Sequence, residues 1–215
     1  MQFSDYVRIF VQRGWIVILA ILIGAGGAYV FSRLQTPIYR ATQKILIQPA
    51  RNDFGLAQTL KQLLSSYAAR LDADERAEDV INALALDMTP GQLRGMVTIS
   101  TNLDQLTMSI DADMPDVGVA SRVARTYGEQ FVQWRNERNA PLRLEDRIDA
   151  ELVDQPSIGL FRPNTPFNVA AGALLGVLVG GTVLFLLEFL SANLVRRRDD
   201  VEHHLKLPVL GALPE

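Results

Sequence analysis

The chain has 215 residues, a net charge of −3 and no cysteine. Its mildly acidic balance excludes the basic footprint of a nucleic-acid-binding protein, and the missing cysteine excludes disulfides and thiolate chemistry. A phosphate-binding loop of the G-x-x-x-x-G-K-S/T kind is absent. The only histidines, His203 and His204, are adjacent near the C-terminus and are too few for a closed metal site.

Two apolar segments, residues 15–32 and 167–190, flank a polar segment of the chain. At about 1.5 Å per residue, each is long enough to cross a hydrocarbon core of about 30 Å as a helix. A cleavable signal peptide is the alternative for the first segment. That segment is longer than a typical signal core, and Ser32-Arg33-Leu34-Gln35 is a poor cleavage site. The pattern therefore predicts a membrane hairpin.

The basic residues beside the apolar segments predict its orientation. Arg8 and Arg13 precede the first segment, and three arginines, residues 196–198, follow the second. Basic residues close to a span favour the cytoplasmic side. Residues 34–166 contain 14 Lys and Arg against 18 Asp and Glu, so they carry no basic block. We therefore predict a cytoplasmic N-terminus (1–14), a span (15–32), an external domain (33–166), a second span (167–190) and a cytoplasmic tail (191–215).

The external segment contains both periodicities of regular structure. The run YRATQKILIQ alternates like a strand, whereas Leu60, Leu64 and Tyr67 recur at helical spacing. In chain order the patterns predict a strand at 39–48, helices at 53–71, 74–86 and 90–95, strands at 96–101 and 106–112, a helix from 116 to about 139, and a strand at 147–153. Asp53 is a candidate helix cap, and Thr89-Pro90 is a typical helix opening. The predicted fold class is an external α+β domain between two transmembrane helices.

Three prolines, Pro156, Pro163 and Pro166, precede the second span. Each proline fixes φ and favours an extended conformation in the residue before it. Residues 154–166 are therefore predicted to be a stiff, non-helical approach to the membrane. A simple stop and restart between regular elements is the alternative interpretation.

Small residues recur every four positions in both spans. This spacing places them on one helix face, where they allow helix backbones to approach closely. The residues concerned are Ala20, Gly24, Ala28 and Ser32 in the first span, and Gly172, Gly176 and Gly180 in the second. Packing within one chain and packing between chains both fit this pattern. Glu188 ends the second apolar run, either at the interface or as a functional intramembrane acid.

The external segment shows no catalytic constellation. It has no histidine or cysteine, so a histidine-based triad is excluded and a membrane-anchored hydrolase is disfavoured. One group of acids resembles a solvated helix face, with a divalent-cation site as the alternative: Asp72, Asp74, Glu75, Glu78 and Asp79. We predict a protein that is not an enzyme and needs no cofactor or metal.

The order of these elements resembles the Wzz-like polysaccharide co-polymerases, the chain-length determinants of bacterial surface polysaccharides. The resemblance begins with FSDYVRIFVQRGWIVILAILIGA and PIYRATQKILI and continues through LTMSIDADMPDVGVASRVARTYGEQF. It includes the proline segment, the glycine-rich second span and the tail HLKLPVLGALPE. The external segment is too short for the long arm of the larger members. The chain is therefore most similar to small two-span members whose kinase is separate, although excision from a fused kinase is the alternative.

The resemblance implies a regulator in the bacterial cytoplasmic membrane that sets polysaccharide length without being an enzyme. The partners implied are further copies of the chain in a ring, an integral-membrane polymerase and a cytoplasmic tyrosine autokinase, with the nascent polysaccharide as a further candidate. The tail would contact the kinase through Val209, Leu210, Gly211, Leu213 and Pro214. A two-span receptor or scaffold with an external binding domain is the competing interpretation.

Overall fold

The structure is a computed structural model that describes residues 3–51 and 54–192. It separates into a helical unit and an α+β unit, the latter formed by Gln35–Pro163. The elements in chain order are α1 (Phe3–Leu34), β1 (Ile38–Pro49), α2 (Phe54–Leu71), α3 (Asp74–Leu84), α4 (Pro90–Met96), β2 (Val97–Asn102), β3 (Thr107–Met114), α5 (Val117–Asn139), a 3-10 turn (Leu144–Asp146), β4 (Ile148–Arg162) and α6 (Thr165–Ala192). Two apolar helices thus flank an α+β domain, as predicted.

The helical unit contains α1 and α6, which pack against each other. Both are long and apolar enough to cross a membrane, over Arg13–Leu34 and Thr165–Leu190. Their large apolar side chains remain accessible: Leu22 is 64% exposed and Phe185 is 69% exposed. Outward-facing apolar side chains of this kind suit lipid contact. The observed α1 begins well before the predicted span because no proline or glycine interrupts the chain between residues 3 and 13.

The α+β unit is a four-stranded antiparallel sheet covered by helices on one face. The strand order is β2-β3-β1-β4, and α5 packs on β1, β3 and β4. Alternate strand residues point to opposite faces, so β1 buries Ala41, Gln43, Ile45 and Ile47, while Thr42, Lys44 and Leu46 stay more accessible. The α5 stripe supplies Val123, Tyr127 and Phe131 from the other side. The core therefore lies between α5 and the sheet.

Side chains cap the starts of two helices, of which the Thr89-Pro90 opening was predicted and the Asp116 cap was not. The Thr89 side chain accepts a hydrogen bond from the backbone N–H of Gln92, and the Gln92 side chain accepts one from the N–H of Thr89. Asp116 caps α5 by accepting from the N–H of Val119 at 2.7 Å. The predicted cap Asp53 lies outside the described residues. The helix predicted at 74–86 ends earlier, because Ala85 adopts a left-handed conformation with φ 50°.

The last strand is longer than the sequence predicted. It was expected at residues 147–153 and continues to Arg162, which is opposite Ile38 of β1. Most of the segment predicted to be stiff and non-helical, residues 154–166, is a hydrogen-bonded strand rather than an independent connector, and its last two residues, Thr165 and Pro166, already belong to α6. Pairing with the long β1 supplies hydrogen-bond partners that the local sequence of β4 does not reveal.

A bulge divides β4 into two ladders. Residues 154–156 have no one-to-one partner opposite Gln43, and Asp154 has φ 58°. The buried Gln43 amide donates to the carbonyl oxygens of Lys44 at 3.0 Å, Val153 at 3.2 Å and Asp154 at 3.3 Å. Pro156, which has no N–H, is placed where the ladder is interrupted. The bulge is therefore held by a side chain from the neighbouring strand.

A buried polar cluster joins the end of α5 to the start of β4. Arg135 and Asn139 are 5% and 4% exposed. The Asn139 amide donates to the carbonyl oxygen of Ile148 at 2.8 Å and accepts from the Ile148 N–H at 3.2 Å. Arg135 donates to Asn139 Oδ1 at 2.9 Å and to the Tyr67 hydroxyl at 3.2 Å. This cluster satisfies the backbone polar groups where β4 enters the core.

Candidate functional site

The small faces of the two apolar helices meet within one chain. A Cβ atom built on Gly172 would lie 2.5 Å from the carbonyl oxygen of Gly24 and 2.6 Å from the Cβ of Ala28. A Cβ on Gly176 would lie 2.5 Å from the carbonyl oxygen of Ala20. The two backbones are therefore closer than any side chain on these glycines permits. We call this contact line the glycine seam.

The glycine seam continues to Val17, which the sequence pattern did not single out. A Cβ on Gly180 would lie 2.8 Å from Val17 Cα and 3.0 Å from Ala20 Cβ. Val17 is three residues before Ala20 and therefore shares its helix face, a spacing that would have identified it. By contrast, a Cβ on Gly26, Gly27 or Gly181 would meet nothing within 4 Å. The structure thus separates seam glycines from outward-facing ones.

Hydroxyl and amide groups close one end of the helix pair. Ser32 is 1% exposed, and its hydroxyl lies 3.0 Å from that of Thr165. Asn168 donates from its amide to the Ser32 hydroxyl at 3.3 Å. Hydrogen bonds between helices are favoured where no water competes for the polar groups. The sequence pattern identified Ser32 only as a small residue. Polar residues at the ends of otherwise apolar segments could have indicated this cluster.

An ion pair lies at the other end of the helix pair. An Nη of Arg13 lies 3.5 Å from a carboxylate oxygen of Glu188. Glu188, predicted either to reach the interface or to act inside the membrane, is thus beside a cation near the end of both apolar stretches. This ion pair could have been predicted from the sequence, because Arg13 lies at the start of the first apolar segment and Glu188 at the end of the second. Pairing lowers the cost of placing either charge close to hydrocarbon.

The three prolines occupy three different structural positions. Pro156 lies in the bulge of β4, and Pro163 follows a cis peptide bond after Arg162. Pro166 lies in the first turn of α6, where a missing N–H costs no helix hydrogen bond. Asn164 starts that helix by accepting from the N–H of Phe167 at 3.3 Å. The prolines therefore do not form one continuous stiff segment.

A charged cluster lies on the sheet face opposite α5. Arg40 donates to both carboxylate oxygens of Asp113 at 2.6 Å and lies 3.6 Å from Asp111. Its guanidinium is 3.6 Å from the ring centroid of Phe161. The hydrogen bonds that Arg40 donates to Asp113 raise the pKa of Arg40. The Arg40 cation thus contacts two carboxylates of β3 and one aromatic ring of β4, an arrangement that stabilises the sheet.

Most acids of the predicted solvated face are paired with arginines. Arg94 donates to Asp72 at 3.1 Å and to Asp74 at 2.9 Å, which raises the pKa of Arg94. Arg76 pairs with Glu75 at 2.6 Å and with Asp79 at 2.8 Å. Within residues 3–51 and 54–192, no group of three or more His, Cys, Asp or Glu is arranged to hold a metal.

The predicted kinase-contact residues, Val209, Leu210, Gly211, Leu213 and Pro214, lie outside the described residues, as do His203 and His204. Their role stays a prediction.

Comparison with known proteins relates the whole chain to polysaccharide biosynthesis proteins. Residues 1–84 match the family model Wzz, described as chain length determinant protein. The chain is 26% identical over 206 residues to the probable capsular polysaccharide biosynthesis protein YwqC of Bacillus subtilis, covering 92% of this chain and 80% of that protein. It is 23% identical over 210 residues to the capsular polysaccharide biosynthesis protein CpsC of Streptococcus pneumoniae, covering 94% and 89%. The capsular polysaccharide type 5 biosynthesis protein cap5A of Staphylococcus aureus is 23% identical over 207 residues, covering 92% and 89%. The resemblance predicted from the sequence is confirmed.

Proposed function

We propose that this Wzz-like protein is a polysaccharide co-polymerase that regulates the chain length and export of a capsular or exopolysaccharide, without catalysing a reaction itself. The supporting observation is the glycine seam, which packs the apolar helices that precede and follow the α+β domain in the chain into one hairpin. The named relatives align with this chain over more than nine-tenths of its length, and thus over both helices. A hairpin that carries one domain suits a regulator assembled around a membrane enzyme.

The proposed location is the bacterial cytoplasmic membrane, with both termini cytoplasmic and the α+β domain outside. Arg13 and the arginines at 196–198 support this orientation. The Arg13–Glu188 pair would then lie at the cytoplasmic interface, and the Ser32–Thr165 contact at the external one. Cysteine labelling of intact cells tests the orientation, since the chain has no native cysteine. Labelling of Ser157→Cys by a membrane-impermeant reagent is expected, and labelling only after lysis would contradict it.

The proposed partners are further copies of the chain in a ring, an integral-membrane polymerase and the nascent polysaccharide. The side chains on the lipid-facing sides of α1 and α6 are largely exposed in the single chain, and such surfaces are available to other helices as well as to lipid. Native mass spectrometry of the purified protein tests the ring. A purely monomeric protein under mild detergent conditions would contradict it.

We further propose that the tail activates a cytoplasmic tyrosine autokinase. Apolar residues Val209, Leu210 and Leu213 beside charged neighbours are the sequence feature that supports docking. Deleting residues 206–215 should abolish phosphorylation of a co-expressed kinase while leaving membrane insertion intact. A deletion that removes only residues 199–202 serves as a control for shortening the tail while keeping the apolar residues Val209, Leu210 and Leu213. Unchanged phosphorylation after the first deletion would contradict kinase docking.

The size distribution of surface polysaccharide in a deletion strain tests the main proposal. Loss of the gene should broaden or shorten the distribution, and expression of the intact chain should restore it. Gly176→Leu should restore it poorly, because a side chain at this position opens the glycine seam. Gly181→Leu adds the same side chain at a neighbouring residue that faces away from the glycine seam, and it is therefore the control. An unchanged distribution in the deletion strain would contradict a role in chain length.

A further inference from the structure

A polar cleft lies between α2, α3 and α5 of the α+β unit. Its volume is about 520 Å³, enough for a small ligand. Arg70 and Arg76 line it from α2 and α3, and Gln130, Trp134 and Arg138 line it from α5. All of these residues belong to one compact unit, so the cleft needs no second domain.

Two arginines in the cleft lack carboxylate partners. Arg76 is neutralised by Asp79 at 2.8 Å. Arg70 and Arg138, in contrast, make no ion pair among the described residues, and their guanidinium groups lie 4.9 Å and 5.8 Å from the ring centroid of Trp134. The cleft is lined by three arginines and by two carboxylates, Asp79 and Glu137, so its lining carries a net charge of +1, which favours an anion. The planar guanidinium forks favour a carboxylate or a phosphate.

Trp134 gives the cleft a rigid aromatic surface. The centroid of its ring lies 5.5 Å from that of Tyr67, which it meets edge-on, and 5.8 Å from that of Phe131, towards which it is tilted. These contacts anchor the ring in the core, while the residue remains half-buried and lines the cleft. An anchored aromatic ring offers contact area at low cost in conformational entropy. The apolar C–H face of a sugar ring is a suitable partner.

Gln130 supplies an acceptor that has no donor. Its side-chain oxygen is buried and accepts no hydrogen bond among the described residues, and the residue lines the cleft. The terminal torsion of a glutamine amide is soft, so a small rotation turns this oxygen towards the cleft. A ligand hydroxyl then provides the missing donor. A simple carboxylate has no such donor, which separates a sugar acid from a plain carboxylate anion.

We propose that this cleft binds an acidic saccharide, in which a carboxylate pairs with Arg70 and Arg138, a sugar ring face contacts Trp134 and a hydroxyl donates to Gln130. This inference rests on the proposed function, because it names the chemical class of polymer that the chain would contact. It assigns the contact to the α2–α3–α5 face rather than to the helical unit.

Isothermal titration calorimetry on the detergent-solubilised full chain tests the proposal. The probe is an oligosaccharide of alternating glucuronate and N-acetylglucosamine, compared with the same oligosaccharide after reduction of its carboxyl groups and with inorganic phosphate. We expect saturable binding of the acidic oligosaccharide and at least tenfold weaker binding of the other two. The double variant Arg70→Gln with Arg138→Gln should also lose at least tenfold. Arg122→Gln, an exposed arginine elsewhere on α5, is the matched control.

Three outcomes would overturn the proposal. Equal affinity for the carboxyl-reduced oligosaccharide would remove the role of the arginines, and equal affinity for phosphate would remove the role of the sugar. Unchanged affinity in the double variant, with an intact circular dichroism spectrum, would place binding elsewhere. The polysaccharide size distribution in the deletion strain reports independently on the proposed function. If deletion changes that distribution while the cleft variants bind normally, only the cleft assignment fails.

Discussion

Gly176→Leu is expected to open the helix pair. A Cβ at this position would lie 2.5 Å from the carbonyl oxygen of Ala20 and 2.6 Å from Ile21 Cα, against an ordinary contact distance of 3.4 Å or more. The helices must therefore separate by about 0.9 Å to admit even the Cβ atom, before the rest of the leucine side chain is placed. Overpacking of this kind costs about 1–3 kcal/mol, which corresponds to about a 5- to 150-fold shift away from the closed pair.

Disulfide formation between Ser32→Cys and Thr165→Cys measures this opening. The two hydroxyls are 3.0 Å apart. Because the chain contains no native cysteine, the two engineered cysteines can form only one disulfide within a molecule. The crosslinking rate under a fixed oxidant should fall in the Gly176→Leu background. Dimers joined between chains are recognised by their doubled mass.

Gly181→Leu is the matched control for this experiment. It adds the same side chain to the neighbouring residue, where a Cβ meets nothing within 4 Å. Its crosslinking rate should match that of the protein with only the two cysteines. If Gly176→Leu crosslinks as fast as Gly181→Leu, the close backbone contact at the glycine seam is refuted.

Two further predictions concern the core of the α+β unit. Asn139→Ala should lower the free energy of unfolding by about 1–3 kcal/mol, because it leaves the buried Ile148 N–H without its acceptor. Arg135→Met should cost less, since Asn139 still serves Ile148 and a buried charge is removed; equal losses in thermal denaturation would contradict this order. Burial, with a contribution from Asp72, raises the pKa of Tyr127 from 10.0 to about 12. The unfolded chain releases this proton first, so stability should fall as pH rises from about 10 to about 12. Tyr127→Phe should remove that part of the fall, and identical pH profiles for the two proteins would refute it.

The sequence predicts the elements of the fold better than their partners. Periodicity located the strands and the longer helices of the α+β unit because each has a clear apolar face, and the Thr89-Pro90 opening located α4. The second half of β4 was missed, because Pro156 and Gly159 weaken any local strand signal. Its partner is the first strand, more than a hundred residues earlier in the chain. The length of β4 depends on its pairing with β1, and a local sequence pattern carries no information about that pairing.

The same limit applies to the candidate sites. Small residues every four positions predicted close helix packing, but they left open whether Gly24 meets Gly172 or another chain. Arg94 meets Asp72 and Asp74 across about 20 residues of intervening chain, so a local charge pattern showed only a solvated acidic face. The cleft at Trp134 likewise joins three helices. Geometry of this kind follows from tertiary packing rather than from spacing.

The bulge at Gln43 has a consequence for how the α+β domain loosens. It separates an inner ladder, Ile148–Val153, from an outer ladder, Ser157–Arg162. The inner ladder carries buried Ile148 and Ala150, whereas Ile158 and Leu160 in the outer ladder are 49% and 60% exposed. Amide hydrogens of the outer ladder should therefore exchange with solvent through a local opening, and those of the inner ladder only with the whole domain. The stretch of β4 that precedes α6 can thus detach and re-pair while the core keeps its register.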